Sequence, residues 1–552
     1  MRHILTLLLS LLLALSLHGQ KVLSTVELED LQTDEDYIFP YNSWGPNRIF
    51  PVQDIDPSLR LDNGQLLFIW KPDKLSSRLR QISCYDLLLN ELWSTEFELD
   101  RNEEVILLLE HGGGDSAILL TRQNEYFQNR VWIRHRMIAL DQGEIKPPQG
   151  LEIIEGKFDN EVFLIQSPDR NSFATYFYGH STQGRSPSVT YEYINMNGQA
   201  GEHATRCDRV SFTVYDWMLS TIRRDTLQVP ERKNIVMGAV MDNDANFYAF
   251  HHQRKNIIGI SMSPSDGSED QLLTFREDVP DLYELEKGIE GHLPPTPGQN
   301  QQLYWVITDR KTSGRDRGIN RYRVLCFDFQ QKEVNTSRQV DINSTLLVAI
   351  EKQREAYNLR PLRRFDYYSI RDVIEMPDQS LWLIVQQHLQ TEYPSTASPQ
   401  NPYPKPTDGR IEEMVMFQFD PTGQIRQAVV VPSVQYLRNF EERMGAFYHL
   451  RVDTQENQFH IITREAAGEK YRDPDRLFYR RVDLETGLIT PRVQIFEGER
   501  RNQLWIKAFT TWMTPTILTL MYMEGSEGDA QLISVDLSAE PDVEEDDHSN
   551  GR

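Results

Sequence analysis

Asp62-Asn63-Gly64-Gln65-Leu66-Leu67-Phe68-Ile69-Trp70 sets a tight-turn signature directly before five consecutive apolar residues. Asp and Asn bring side-chain acceptors that fold back on the backbone, and Gly takes a left-handed conformation without steric cost, so the triplet suits a chain reversal. The apolar run is short, rich in aromatics and bounded by turn residues, the mark of a strand rather than a helix. The same pairing returns along the chain: Gly112–Asp115 into Ala117–Thr121, Pro168–Asn171 into Phe173–Tyr178, and Asp242–Asn246 into Phe247–Phe250. Further copies are Gly298–Asn300 into Leu303–Ile307, Pro377–Gln379 into Leu381–Val385, Gln455–Asn457 into Phe459–Ile462, and Thr514–Thr516 into Ile517–Met521.

A third strand follows each copy and closes on a second tight turn. Clear cases are Val131–Leu140 before Asp141-Gln142-Gly143, and Val189–Met196 before Asn197-Gly198. Met414–Phe419 before Asp420–Gly423, and Phe478–Val482 before Asp483–Gly487, repeat the pattern. Fourth strands such as Trp93–Leu99 and Gln424–Val431 lead into the next copy. Repetition of four antiparallel strands lets a chain well beyond ~300 residues stay in one domain, because each unit buries its faces on its neighbours. The eighth unit runs out after three strands, whereas Val22–Leu28 is an extended strand with no unit of its own. Used as the fourth strand of the last unit, it would cover an open sheet edge.

These repeats resemble the β-propeller superfamily over about residues 21–538, without the Gly-His and Trp-Asp pair of WD repeats or a kelch double glycine. The resemblance implies an all-β fold, a single β-propeller of eight blades, with seven as the alternative count. Short helices are expected in two links between units. Ser344–Leu359 carries Leu346, Ile350 and Tyr357 on one side, and Ser433–Met444 is stopped by Gly445.

Arg2, His3 and the apolar run Ile4–Leu17 read as a secretory signal peptide spanning residues 1–19. The run is shorter than the roughly 20 residues a spanning helix needs, so no membrane insertion is expected. The first cysteine is Cys84, too late for a lipid anchor. Leu17-His18-Gly19-Gln20 resembles export signals of Bacteroidota, which implies a periplasmic or secreted protein. With three cysteines, Cys84, Cys207 and Cys326, the chain is not a disulfide scaffold, and buried free thiols are expected. A net charge of −24 excludes a nucleic-acid partner, since phosphate binding needs clustered cations. The acidic tail 539–552 is expected to lie outside the folded domain, residues 20–538.

In such a blade the first-to-second and third-to-fourth turns share one end. The second-to-third loops and the links share the other. The first set is uniformly tight. The second set holds the insertions, among them Arg310–Asn320, Asn343–Asp366, Gln386–Ile411 and the link Asp216–Lys233. Loops held by a rigid scaffold are where binding residues gather. Candidate ligand-binding residues are therefore Arg310, Arg315, Arg317, Arg363 and Arg364, whose forked guanidinium groups suit carboxylate or sulfate, together with Tyr393 and Tyr403. The expected function is a monomeric exported scaffold binding a protein or glycan partner, non-catalytic, with no cofactor and no metal. The alternative is a carbohydrate-active hydrolase or lyase working in the axial funnel.

Three other motifs have structural readings. His111–Gly114 resembles a lipase oxyanion loop, but no Gly-x-Ser-x-Gly elbow accompanies it. Asp242–Asn246 begins like a calcium loop, yet Phe247 stands where Gly is required, which favours a β-turn. Asp115-Ser116-Ala117 and Asp225-Thr226-Leu227 resemble the short O-glycosylation triplet of Bacteroidota.

Overall fold

Several of the tight turns are built by aspartates that cap their own loops. Asp86 Oδ1 accepts the backbone N–H groups of Leu88 and Asn90, at 2.8 and 2.9 Å. Asp242 Oδ1 does the same for Asp244 and Asn246, at 3.0 and 2.9 Å. Asp420 takes the N–H of Gln424, and Asp483 those of Glu485 and Thr486. Because the carboxylate satisfies the loop, the residue in the left-handed conformation need not be glycine; Leu89 at φ 58° and Ala245 at φ 61° hold that place. The hydroxyl of Thr422 and the N–H of Gln424 hold Asp420 below the usual carboxylate range, and Thr486 does so for Asp483.

The computed structural model describes residues 21–28, 58–72, 78–111, 115–125, 128, 130–155, 162–179, 188–190, 204–206, 209–229, 235–253, 257–276, 296–311, 318–362, 365, 368–387, 389–390, 409–437, 448–466, 475–497, 503–505, 510–524 and 530–538. They form eight antiparallel sheets, the blades of a β-propeller, with one helix among the described residues. Burial grades across each sheet. In the first blade the second strand, Leu66–Trp70, is wholly buried, whereas the fourth, Glu91–Glu98, is exposed or half-exposed throughout. A strand buried on both faces reads as an unbroken apolar run, which is what made these second strands visible in the sequence.

The chain divides into two compact units, one of Met1–Asp34, Pro57–Glu96 and Val434–Arg552, the other of Glu35–Asp56 and Phe97–Ser433. The first unit holds the first, seventh and eighth blades. Its core joins Ile462, Leu477 and Tyr479 to Trp505, Leu518, Leu520 and Ile533. Each fully buried side chain of this size contributes roughly 1.5–3 kcal/mol. In the eighth blade Lys21–Leu28 pairs antiparallel with Ala530–Asp536, from Lys21 opposite Asp536 to Leu28 opposite Ala530. The N-terminal strand is thus the fourth strand of the last sheet.

The second unit holds five blades and the helix Ser344–Ala356. Asn343 caps it, its Oδ1 accepting the Leu346 N–H at 3.0 Å. Ile350 is buried against the fifth and sixth blades and Leu346 packs beside it. Tyr357, expected on the same side, lies beyond the last helical residue and is 40% exposed. The Gln353 amide docks on the fourth strand of the sixth blade, Ile425–Leu437, donating to the Ala428 carbonyl and accepting the Val430 N–H, both at 2.9 Å. A side-chain amide so placed occupies backbone groups that an outer strand would otherwise leave open.

Several expected elements differ. The third strand of the third blade is Arg209–Asp216, turned by Trp217–Ser220 into Thr221–Gln228. The predicted third strand Val189–Met196 is instead part of an insertion. Its Ser188–Thr190 pairs with Ala204–Arg206, which joins the inner strand of the fourth blade through Thr205 and Val236. Asp216–Lys233 is accordingly a hairpin turn and a strand up to Gln228, not a link. The predicted helix Ser433–Met444 is strand as far as Leu437; Pro432 is tolerated because an outermost strand has a side free of ladder bonds. Residues 438–447 lie outside the described ones.

Cys84 and Cys326 are free and buried, and burial pushes their thiols up to about 11 and about 12. At pH 8 the reactive thiolate is then only about one part in a thousand at Cys84, and less at Cys326. Neither should react with an aromatic disulfide reagent until the protein unfolds, and denatured, unreduced protein should titrate three thiols, Cys207 included. Rapid native modification of Cys84 or Cys326, located by peptide mapping, would contradict the burial.

Candidate functional site

Antiparallel connectivity puts the second-to-third loops and the links at the end of each sheet opposite the first-to-second turns, and in the second unit one such loop and one such link meet. The fifth blade runs its second strand as Gln302–Lys311 and its third as Gly318–Asp328, so both ends of Arg310–Asn320 are strand and 312–317 fall outside the described residues. Arg310 pairs across the ladder with Ile319. The Ile319 N–H donates to the Phe365 carbonyl at 2.9 Å. Phe365 stacks on Tyr368 with centroids 3.8 Å apart and meets the edge of Tyr322, whose hydroxyl donates to the Tyr368 carbonyl at 3.2 Å. The link after the helix is therefore pinned beside the start of the third strand.

Among the predicted ligand-binding residues, only Arg310 is described, and only by its strand position. Arg315, Arg317, Arg363, Arg364, Tyr393 and Tyr403 lie outside the described residues. In sequence Arg317 stands two residues before Ile319, and Arg364 directly before Phe365, the two residues joined by that bond. Arg321, a neighbour in the same cluster, is paired with Asp341 at 2.5 Å, and Arg323 with Asp309 at 2.7 Å. In the sixth blade Gln386 and Gln387 end a strand, Leu389–Gln390 pairs with Gly409 and Arg410, and residues 391–408 are outside the described set.

At the Asp-capped end of the seventh blade stands a group the sequence reading missed. Asp453 closes the first strand, Tyr448–Asp453, and His460 lies in the second, Gln458–Ala466. Asp453 Oδ1 accepts the N–H groups of Gln455 and Glu456, both at 3.0 Å. Its Oδ2 accepts from Arg451 at 2.8 Å and lies 3.9 Å from His460 Nε2. His460 Nδ1 bonds the Tyr479 hydroxyl at 2.6 Å, and its ring stands beside Tyr479 and edge-on to Trp512. Burial, then the charge of Arg451, pushes His460 down to about 4, so the ring is neutral at pH 7. Burial raises Tyr479 to about 12, which keeps its hydroxyl protonated.

The other sequence motifs are occupied structurally. Asp242 Oδ2 accepts from Asn246 and from the Tyr248 hydroxyl, which with its Oδ1 bonds uses the carboxylate up inside its own turn. His111 ends the first strand of the second blade, and its Nδ1 lies 3.0 Å from the Trp217 carbonyl.

No protein-family model and no curated protein matches the sequence. Solved structures do resemble the fold. Prolyl oligopeptidase B from Galerina marginata bound to a 35-residue substrate is 10% identical, with a TM-score of 0.38 over 85% of this chain and 55% of that one. Porphyromonas gingivalis dipeptidyl peptidase 4 is 8% identical, TM-score 0.37, over 90% and 67%. The Nup133 β-propeller domain of Vanderwaltozyma polyspora is 7% identical, TM-score 0.38, over 83% and 98%. The chain thus spans about half the length of the prolyl oligopeptidase. At such identities and scores the likeness concerns the fold alone.

Proposed function

We propose that this chain is an exported, non-catalytic scaffold that binds an anionic protein or glycan partner through the inserted loops of its fifth and sixth blades. The observation that carries this reading is the Ile319–Phe365 bond, which joins two residues that follow arginines in the sequence of a protein of net charge −24. Local cations in an acidic chain suit a ligand presenting carboxylate or sulfate, and forked guanidinium contacts with such groups are strong. Export follows from the apolar N-terminal run, and a monomer is the working form.

The test uses a panel of sulfated and uronic-acid glycans and acidic proteins. For a ligand found there, replacing Arg315, Arg317, Arg363 and Arg364 by Ala should weaken binding more than about tenfold, or ~1.4 kcal/mol. Folding should be unchanged, because single charges in loops generally contribute little to stability. Substitutions at Asp62, Asp141 and Asp483, in the tight turns, should leave affinity alone. Affinity lost through the turn aspartates and kept in the arginine variant would reverse the assignment.

A further inference from the structure

Histidine at position 460 is 4% exposed, yet its Nε2 has no hydrogen-bond partner. A buried imidazole nitrogen without a partner is costly unless something fills the position. Here that nitrogen faces Asp453 Oδ2 at 3.9 Å, too far for a hydrogen bond and a few tenths of an ångström wider than the roughly 3.3–3.5 Å between neighbouring ligands of a tetrahedral ion, a gap that a small side-chain rotation closes. One ligand atom each from Asp453, Glu456 and His460 lie within 4.8 Å of one another. The first two residues are held by the turn, where Asp453 Oδ1 orders the loop and leaves Oδ2 toward the ring. The Tyr479 hydroxyl can accept the proton on Nδ1, which leaves the Nε2 lone pair available, the arrangement that orients ligating histidines.

We propose that Asp453, Glu456 and His460 bind one divalent ion of the zinc and cobalt class, with water completing its coordination. The donor set, one imidazole and two carboxylates without thiolate, suits borderline ions rather than copper(I) or the oxygen-only shell of calcium. Glu456 is exposed in the turn, so the ion has a path from solvent. Arg451 is the competing cation. Its guanidinium holds Asp453 Oδ2, donates to the Pro515 carbonyl at 2.7 Å and stands 5.0 Å from the Trp512 ring centroid. Binding of the ion breaks the bond to Asp453, and the other two contacts keep the arginine aside. This site lies at the opposite end of its sheet from the inserted loops, and the proposal is independent of the proposed ligand binding.

The experiment titrates chelator-treated full chain with zinc by calorimetry and with cobalt by visible absorbance. One ion per chain is expected. Glu456→Gln, at an exposed position that cannot disturb the core, should weaken zinc by about tenfold or more, and His460→Ala should abolish binding. Arg451→Met should bind more tightly than the unmodified chain, a gain that a purely structural role for these residues would not produce. Should His460→Ala fail to fold, the Glu456 and Arg451 variants decide. No uptake by the unmodified chain, or undiminished uptake by Glu456→Gln, overturns the proposal.

Discussion

A chain lacking Lys21–Leu28 is expected to elute as aggregates and to melt below the complete protein. The strand covers the edge of Ala530–Asp536, whose side chains at Leu532, Ile533 and Val535 are almost fully buried. Its removal opens a row of backbone donors and acceptors flanked by apolar residues, a template for pairing with another chain. Each backbone hydrogen bond lost costs roughly 1 kcal/mol, and the exposed edge adds a route to irreversible association. Size-exclusion chromatography and a thermal scan read the result. A monomeric profile with an unchanged melting midpoint would show that the last sheet does not need its first-made strand.

Replacing Arg354 by Ala should be the most damaging single substitution in the second unit. Its side chain is 1% exposed on the helix, paired with Glu412 at 2.9 Å and also with Glu413, which is fully buried. Glu413 further accepts the Tyr368 hydroxyl, and Arg354 also donates to the Arg360 carbonyl. Removing the guanidinium leaves two carboxylates buried without their cation, a loss of about 3–5 kcal/mol. The helix should then exchange its amides faster, and the denaturant midpoint should fall. Changing Arg354 to Met together with Glu412 and Glu413 to Gln should restore most of the loss, because no uncompensated charge remains. Equal damage from both variants would mean that packing, rather than charge, holds the helix.

The sequence made the blades legible wherever turn chemistry and strand pattern agreed. Asp62-Asn63-Gly64 before Leu66–Trp70 is such a place, and so is Asp420–Gly423 after Met414–Phe419. The third blade failed because Asn197-Gly198 is a stronger hairpin signal than the turn actually used. There, Leu219 takes the left-handed position at φ 63°, and Asp216 Oδ1 makes this acceptable by accepting the Ser220 N–H at 2.7 Å. The extended run Ile425–Leu437 was misread at Ser433 because a proline normally ends a strand, and its outermost position lifts that rule.

The candidate site was legible by composition and not by geometry. Clustered arginines in an acidic chain stand out in sequence, but the hydrogen bond near them joins Ile319 to Phe365, far apart along the chain. His460 could not be found from sequence alone. A single histidine in a strand has many structural explanations, and only the register that sets Arg451 opposite His460 puts Asp453 beside it.

The central claim, that the inserted loops bind the partner, is tested most directly by a hydrogen-exchange footprint of the full chain with a bound anionic ligand. Slower exchange is predicted in peptides covering 310–320, 343–366 and 386–411, with the tight turns at 62–64, 141–143 and 483–487 unchanged. Protection confined to those turns, with the arginine-bearing segments exchanging as in the free protein, would contradict it.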